Sequence, residues 1–295
     1  MSPLDLPPDL RSRLARVSLA PLAAATVAGG GVHPSRNRGA GLEFAQYRGY
    51  ERGDDLRRID WKLYARSDRL FVRDAERESP VAAWLILDAS ASMAQADLAR
   101  PHWSRFDAAR RLTAAVMEIA IRDGDRIGLV VERGEDAISI PLGAGARQLD
   151  RLRSTLIALS PGGTANWARA LEVMGERTRA GHIVLIVSDG FDEACATAAE
   201  RMSAAGRDVA FIRLLTADER DFAFTEGYRF RDPESGEALI GDGPAMRRDF
   251  LLRFGQARTE QARRLRSGGI RYVEHFTDED ADQPLRTLMR QGTSP

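Results

Sequence analysis

Lysine is almost absent from this 295-residue chain, and its scarcity removes one large class of activity. Lys62 is the only lysine, and no Gly-Lys pair occurs anywhere in the sequence. Because a P-loop needs Gly-Lys followed by Ser or Thr to hold phosphates, ATP hydrolysis of that type is excluded. Any ATPase that works with this protein must be another chain.

Cysteine and long apolar runs are also scarce. Cys195 stands alone, so an intramolecular disulfide cannot form and a reducing compartment is favoured. Its alanine-rich, helical surroundings are more typical of a small buried residue than of a nucleophile. The apolar-leaning residues 14–28 contain Arg16 and Pro21, are too short to span roughly 30 Å of hydrocarbon and make a poor signal peptide. We therefore expect a cytoplasmic protein with no transmembrane segment, while peripheral membrane association stays open.

No charge of one sign dominates the chain. Lys+Arg and Asp+Glu both number 43, so there is no bulk positive field to hold polyanions, and a nucleic-acid partner is not expected. The four histidines, at positions 33, 102, 182 and 275, lack the spacing of zinc ligands. With 43% hydrophobic and 29% charged residues, the chain has the composition of a folded globular protein.

From residue 81 onward, apolar runs alternate with segments of helical periodicity. The predicted strands are residues 81–87, 126–131, 137–142, 182–187, 209–215 and 270–276. The predicted helices are residues 106–121, 149–159, 165–179, 192–205, 245–266 and 285–290. Strands that alternate with helices of ten or more residues predict an α/β fold with a doubly wound, mostly parallel sheet and helices on both faces, of Rossmann type.

The remaining segments define the expected domain organisation. Residues 1–40 are predicted to form a short helix, at about residues 8–22, followed by a loop. Residues 41–80 are dense in charge with interspersed aromatic residues, which favours short strands and turns, and so a small β-rich N-terminal subdomain. Residues 81–295 form the main domain, with a hairpin insertion near residues 225–243.

Oxygen-bearing side chains follow the predicted strands at three loops. Asp88, Ser90 and Ser92 alternate at the end of the first strand of the main domain. Thr164 follows two glycines, and Asp189 ends the strand of residues 182–187. Ligands of open α/β sheets bind where such carboxyl-end loops meet, and hard cations such as Mg²⁺ prefer oxygen ligands. The pattern therefore predicts a divalent-cation site.

These five residues resemble the metal-ion-dependent adhesion site of von Willebrand factor A domains, whose pattern is Asp-x-Ser-x-Ser with a distant Thr and a distant Asp. The resemblance implies that Ser90, Ser92 and Thr164 bind the metal directly, and that Asp88 and Asp189 act directly or through water. It also implies that a carboxylate of a partner completes the metal shell. The cation is expected to be Mg²⁺, with Mn²⁺ or Ca²⁺ as alternatives. Two further interpretations stay open: the serines and Asp88 only cap the following helix, or the site has lost its metal.

A second signature precedes the sheet. It consists of Glu43-Phe44, Arg48, Tyr50, Gly53-Asp54-Asp55, Arg57, Ile59-Asp60-Trp61 and Ala65-Arg66. This string resembles the hallmark of the bacterial proteins called domain of unknown function 58, and the resemblance covers roughly residues 41–215. It implies a partner of MoxR-type AAA+ ATPases that helps to chaperone, assemble or activate an unidentified client protein, and it implies no enzymatic activity.

Four arginines of this signature are candidates for partner binding: Arg48, Arg57, Arg58 and Arg66. They lie among acidic residues, so a structural network of bidentate Arg-carboxylate bonds is one interpretation. The other is a surface that docks a partner or presents an arginine to the nucleotide of a neighbouring ATPase.

The leading hypothesis is a non-enzymatic, metal-dependent protein-binding module. The alternative is a Mg²⁺-dependent phosphohydrolase with Asp88 as nucleophile. Such an enzyme would want a second aspartate where Ser90 stands and a basic residue near the phosphate, from which Lys62 is remote in sequence. A serine hydrolase is disfavoured because neither Ser90 nor Ser92 lies in Gly-x-Ser-x-Gly. A scaffold that never binds metal is the remaining alternative.

Overall fold

The computed structural model describes residues 4–19, 44–50, 59–75, 80–134 and 137–291. The chain divides into two compact units, one combining Met1–Gly29 with Val81–Pro295 and the other comprising Gly30–Pro80. In chain order the helices and strands are α1 (Pro8–Leu14), β1 (Phe44–Gly49), α2 (Trp61–Ser67), β2 (Phe71–Ala75), β3 (Ala82–Asp88), α3 (Arg105–Asp123), β4 (Arg126–Glu132), β5 (Ile138–Gly143), α4 (Ala146–Ala158), α5 (Trp167–Arg177), β6 (Ile183–Ser188), α6 (Glu193–Ala204), β7 (Asp208–Leu215), α7 (Ala217–Asp221), β8 (Gly227–Arg231), β9 (Ala238–Asp242), α8 (Gly243–Ser267), β10 (Arg271–Phe276) and α9 (Gln283–Gln291).

The larger unit is built around a sheet of six strands in the order β10-β7-β6-β3-β4-β5. Its neighbouring strands run parallel, apart from β5, which is antiparallel to β4. β6 and β7 are buried along their whole length, as expected where helices cover both faces of a parallel sheet. The predicted doubly wound, mostly parallel fold is confirmed.

Two apolar clusters occupy the two faces of this sheet. Leu85 and Leu87 of β3 belong to one cluster, and the alternating residues Trp84 and Ile86 belong to the other. Residues of α1, α3, α4 and α9 complete the first cluster, and residues of α5, α6 and the end of α8 complete the second. Burial of each such side chain contributes about 2 kcal/mol, so β3 is held firmly in the middle of the sheet.

The strand order reverses beside β3. From β3 the chain builds β4 and β5 on one side, and then β6, β7 and β10 on the other. The last residues of β3 and β6, Asp88 and Ser188, lie side by side at this point. Ligands of open α/β sheets bind at such a reversal of strand order, at the carboxyl ends of the strands.

The N-terminal helix is shorter than predicted, because α1 ends at Leu14. Arg122 of α3 donates hydrogen bonds to the carbonyl oxygens of Leu14 and Ala15, both at 3.1 Å, and to that of Val17. These bonds satisfy carbonyl groups that further helical turns would otherwise use. The rest of the predicted first segment, residues 20–40, lies outside the described residues.

The smaller unit contains an antiparallel pair, β1 and β2, with α2 between them in sequence. The sequence favours strands and turns here and does not predict α2, which is too short for its periodicity to be visible. Asp60 begins this helix by accepting hydrogen bonds from the backbone N–H groups of Lys62 and Leu63, both at 3.0 Å.

A hairpin of β8 and β9 joins α7 to α8. In its turn, the Asp232 carboxylate accepts hydrogen bonds from the backbone N–H groups of Glu234, at 2.8 Å, and Ser235, at 3.3 Å. Gly236 has φ +75°, a conformation that side chains rarely adopt. An aromatic cluster supports the hairpin at its base and packs it against α8: Phe222, Phe224, Tyr228, Phe230 and Phe250.

Candidate functional site

Asp88 lies at the carboxyl end of β3, almost completely buried at 2% exposure. One carboxylate oxygen, Oδ1, accepts a hydrogen bond from the Ser90 backbone N–H at 2.9 Å. The other, Oδ2, accepts one from the Ser188 hydroxyl at 2.6 Å. A carboxylate has about four acceptor positions, so both oxygens retain lone pairs for a metal-bound water or a cation.

The two serines of the motif stand beside Asp88. Ser90 is buried and Ser92 is half-buried, and their hydroxyl groups form a hydrogen bond with an oxygen–oxygen distance of 3.0 Å. An octahedral Mg²⁺ with ligands at roughly 2.1 Å places adjacent ligand oxygens about 3.0 Å apart. The observed separation therefore matches two neighbouring ligands of such an ion. The capping interpretation does not account for Ser90 and Ser92, because neither side chain caps the short 3₁₀ turn Ala91–Ala94.

The Thr164 loop is held against the same strand end by its backbone. The N–H of Ala91 donates to the carbonyl oxygen of Gly163, and the N–H of Gly162 donates to that of Ala89, both at 2.8 Å. Thr164 itself is exposed. Among the described residues that line the pocket at this edge, the loop contributes Ala165 and not Thr164. Four of the five predicted ligands thus line one pocket: Asp88, Ser90, Ser92 and Asp189. The fifth, Thr164, directly precedes the lining residue Ala165 in the sequence.

Asp189 follows β6 and is buried against the guanidinium group of Arg105, a residue that the sequence analysis missed. Arg105, the first residue of α3, places Nη1 3.1 Å from Asp189 Oδ2 and 2.9 Å from the carbonyl oxygen of Ser92. Its Nη2 contacts the Glu219 carboxylate. No local motif distinguishes Arg105 from the many other arginines of the chain. Its place at the site becomes apparent only from the position of α3 in the fold.

The buried carboxylates repel each other. Burial, with a further contribution from the charge of Asp189, raises the pKa of Asp88 to about 7 despite the hydrogen bonds from Ser188 and Ser90. Burial raises the pKa of the Cys195 thiol well above its ordinary value, and the nearby charge of Asp88 raises it further. A thiol of this kind is not a nucleophile at neutral pH, in agreement with a structural role for Cys195.

The donor set fits a hard divalent cation. The candidate ligands are carboxylate and hydroxyl oxygens, the chemistry that Mg²⁺ and Ca²⁺ select, and a cation would relieve the repulsion between Asp88 and Asp189. Among the described residues no group of three His, Cys, Asp or Glu side chains has a metal-binding arrangement. A metal at this edge would therefore need the hydroxyl groups of Ser90 and Ser92 as well as the two aspartates.

The pocket above these residues measures about 870 Å³. Its floor is the edge of the sheet, and one wall is the hairpin turn with Asp232, Pro233 and Glu234. Aromatic side chains line much of the remainder: Phe191, Phe222, Phe224, Tyr228, Phe230, Phe250 and Phe254. A polar floor with apolar walls is typical of a site that orients a ligand through a few fixed groups.

The four candidate partner-binding arginines belong to the smaller unit. Arg66 lies on α2 and is exposed. Arg48 lies in β1, where its backbone is paired with Val72 of β2. Arg57 and Arg58 lie outside the described residues, as do the neighbouring acidic residues 51, 54 and 55 with which they were expected to pair.

The larger unit contains the doubly wound, mostly parallel sheet that the sequence predicted. The family model described as "Protein of unknown function DUF58" matches residues 46–262, more than half of the chain. The chain therefore belongs to the DUF58 family, and the resemblance seen in its second signature is confirmed.

Known relatives and solved structures resemble the chain more distantly. The uncharacterized protein Rv1480 of Mycobacterium tuberculosis is 26% identical over 246 residues, which cover 82% of this chain and 77% of the relative. The conserved hypothetical protein BatB from Bacteroides thetaiotaomicron is 17% identical, with a TM-score of 0.45 over 72% of this chain and 96% of that one. The SpRpn10 VWA domain is 15% identical, with a TM-score of 0.42 over 74% of this chain and 96% of that one.

Within the part of the chain that the structure describes, no helix combines the length and the apolar character needed to cross a bilayer.

Proposed function

We propose that this protein is a non-enzymatic binding module that holds a divalent cation at the carboxyl edge of its sheet and binds a partner protein through it. The cation is Mg²⁺, with Mn²⁺ or Ca²⁺ as substitutes. Its proposed ligands, direct or through water, are Asp88, Ser90, Ser92, Thr164 and Asp189. The observation that carries this proposal is the 3.0 Å separation of the Ser90 and Ser92 hydroxyls beside two buried carboxylates.

The proposed partner is a MoxR-type AAA+ ATPase, with an unidentified client protein as the target of the pair. Support comes from the DUF58 family membership and from the resemblance of the second signature. The absence of any Gly-Lys pair means that ATP hydrolysis of the P-loop type belongs to another chain. The buried, unpaired Cys195 supports a cytoplasmic location, where thiols stay reduced.

A Mg²⁺-dependent phosphohydrolase is the second candidate, and Arg105 is the observation in its favour. Arg105 supplies the basic residue at the sheet edge that the sequence analysis did not find. Its guanidinium, however, is only 3% exposed and already contacts Asp189, Glu219 and a backbone carbonyl. The required nucleophile, Asp88, accepts a hydrogen bond at each oxygen and is buried. Both groups are thus poorly placed to meet a phosphate.

The test is the thermal stability of the purified chain in EDTA and in millimolar Mg²⁺ or Mn²⁺. A ligand that binds only the native state raises the melting temperature. We expect a rise in the wild type and none in the Ser90→Ala, Ser92→Ala double variant. The control is Ser154→Ala, which changes an exposed serine of α4 and should keep the wild-type response.

Two results would overturn the proposal. An unchanged melting temperature of the wild type with every cation would exclude a metal-dependent mechanism in the isolated protein. Hydrolysis of p-nitrophenyl phosphate that requires Mg²⁺ and is lost in Asp88→Asn would favour the phosphohydrolase instead.

A further inference from the structure

The turn of the hairpin lies over the candidate metal site. Pro233 and Glu234 line the same pocket as Ser90, Ser92 and Asp189. The turn residues are more than forty positions away in sequence from the nearest of the site residues, Asp189. The turn therefore reaches the site because of the way the hairpin packs on α7 and α8.

The backbone of the turn is held by several hydrogen bonds. Asp232 accepts two backbone hydrogen bonds within the turn, and its own N–H donates to the carbonyl oxygen of Glu237 at 2.8 Å. Gly236 provides the left-handed residue, and its N–H donates to the carbonyl oxygen of Asp232 at 2.9 Å. A turn held in this way presents the residue at position 234 in a defined direction and not as a freely moving tip.

The Glu234 carboxylate reaches the two serines. Glu234 is exposed at the hairpin turn and lines the same pocket as Ser90 and Ser92, and its carboxylate is close enough to interact with both hydroxyls. The same two hydroxyls, 3.0 Å apart, are the proposed neighbouring ligands of the cation. Glu234 therefore occupies the space in which a further ligand of that cation would lie.

The charges at the site support the same conclusion. Asp88, Asp189 and Glu234 line one pocket without forming a metal-binding group of three carboxylates by themselves, and Arg105 is already bound to Asp189 and Glu219. Negative charges that share a pocket repel one another. A divalent cation between the serines would interact favourably with Glu234 and relieve this repulsion.

We propose that Glu234 is a further ligand of the divalent cation, supplied by the protein's own hairpin, which the metal thereby fastens over the site. This inference rests on the proposed metal-dependent function. In this arrangement Glu234 holds a coordination position that a carboxylate from another protein would have to take over. Partner binding and release of the hairpin turn are then coupled at the metal.

The test is a Mn²⁺ titration of the full chain, followed by electron paramagnetic resonance of the free ion and by isothermal titration calorimetry. Glu234→Gln keeps the size of the side chain and removes its charge, and we expect it to weaken Mn²⁺ binding by at least about tenfold. Glu237→Gln, in the same turn, is the matched control and should bind Mn²⁺ as the wild type does. Hydrogen exchange provides a second measurement: Mn²⁺ should protect the amides of residues 232–237 in the wild type, and not in Glu234→Gln.

The outcomes separate this inference from the function on which it rests. Equal Mn²⁺ affinity and equal hairpin protection in wild type and Glu234→Gln, with binding lost in the Ser90→Ala, Ser92→Ala variant, would reject Glu234 as a ligand and leave the metal site intact. Absence of Mn²⁺ binding by the wild type would reject both.

Discussion

The guanidinium of Arg105 lies 3.1 Å from the carboxylate of Asp189, and the two side chains are only 3% and 4% exposed. This ion pair places a positive charge beside the candidate metal site without any metal. It compensates Asp189, but the pKa of Asp88 is still raised to about 7. Arg105 therefore balances the charge of Asp189 when no cation is present, and leaves part of the negative charge at the site for a cation to balance.

Removal of the Arg105 charge should destabilise the protein. Arg105→Met leaves Asp189 buried without its partner, and we expect the free energy of unfolding in EDTA to fall by about 3 kcal/mol. Mn²⁺ should recover part of this loss, so the metal-induced rise in melting temperature should be larger in the variant than in the wild type. Urea titrations and thermal melts measure the two effects.

The matched control for this change is Arg263→Met. Arg263 is paired with Glu260 on the surface of α8, with side chains 74% and 62% exposed. Such exposed pairs contribute less than about 1 kcal/mol. If Arg105→Met and Arg263→Met lost similar stability and responded equally to Mn²⁺, the assigned role of Arg105 would be wrong.

Ser188 should tune the metal site without being a ligand. Its hydroxyl donates to Asp88 Oδ2 at 2.6 Å and accepts a hydrogen bond from the Gly190 N–H at 3.0 Å. Loss of the hydroxyl in Ser188→Ala should raise the pKa of Asp88 further, because a hydrogen bond to its charged form disappears. We expect Mn²⁺ affinity to fall about tenfold, as observed for residues that orient metal ligands.

Ser203→Ala provides the comparison for Ser188→Ala. The Ser203 hydroxyl donates one hydrogen bond, to the carbonyl oxygen of Gly268 at 2.8 Å, in a part of the fold that does not line the pocket. Calorimetric titration of both variants should show weaker Mn²⁺ binding only for Ser188→Ala. Unchanged affinity in Ser188→Ala would mean that Asp88 does not depend on this hydrogen bond.

Glu132 should control the position of the Thr164 loop. It ends β4, is fully buried, and its Oε1 accepts hydrogen bonds from the N–H groups of Asn166, at 2.7 Å, and Gly134, at 3.0 Å. In Glu132→Ala these two donors lose their partner, which should cost about 2 kcal/mol of stability. Hydrogen exchange should then accelerate across residues 161–166, and Mn²⁺ affinity should fall although no ligand has been changed.

Glu132→Gln distinguishes the acceptor from the charge. Glutamine retains an oxygen at the Oε1 position and carries no charge, whereas burial opposes the ionisation of Glu132 and raises its pKa. We expect Glu132→Gln to retain most of the loop protection that Glu132→Ala loses. Equal loss in both variants would show that the charge, and not the acceptor, holds the loop.

The sheet and part of the site could be predicted from the sequence because their signals are local. β3 and β6 are continuous apolar runs, and Asp88 and Asp189 stand directly at the strand ends. Parallel strands share one carboxyl edge, so residues a hundred positions apart were expected to converge. The hydrogen bond between Ser188 and Asp88 is the direct consequence of that register.

The residues that the sequence did not indicate reach the site by packing. Arg105 begins a helix and Glu234 belongs to a hairpin turn, and neither position carries a motif for the site. Their places are decided by the burial of α3 against one face of the sheet and by the aromatic cluster around Phe222. Pairwise packing of this kind has no periodicity along the chain, and the sequence pattern therefore predicts the hairpin but not what its turn covers.

Partner binding provides the last prediction, because a partner carboxylate and Glu234 compete for one position at the cation. If the hairpin holds that position about nine-tenths of the time, the apparent partner affinity is reduced about tenfold. At saturating Mg²⁺, Glu234→Gln should therefore bind the proposed MoxR-type ATPase about tenfold more tightly than the wild type or Glu237→Gln.

EDTA should abolish binding in all three, and biolayer interferometry measures each affinity. Equal affinities in Mg²⁺ would show that the partner does not compete with Glu234, and binding that persists in EDTA would show that the partner contacts a surface other than the metal site. The exposed Arg66 on α2 is the described residue at which such a metal-independent contact should then be sought, by charge reversal in Arg66→Glu.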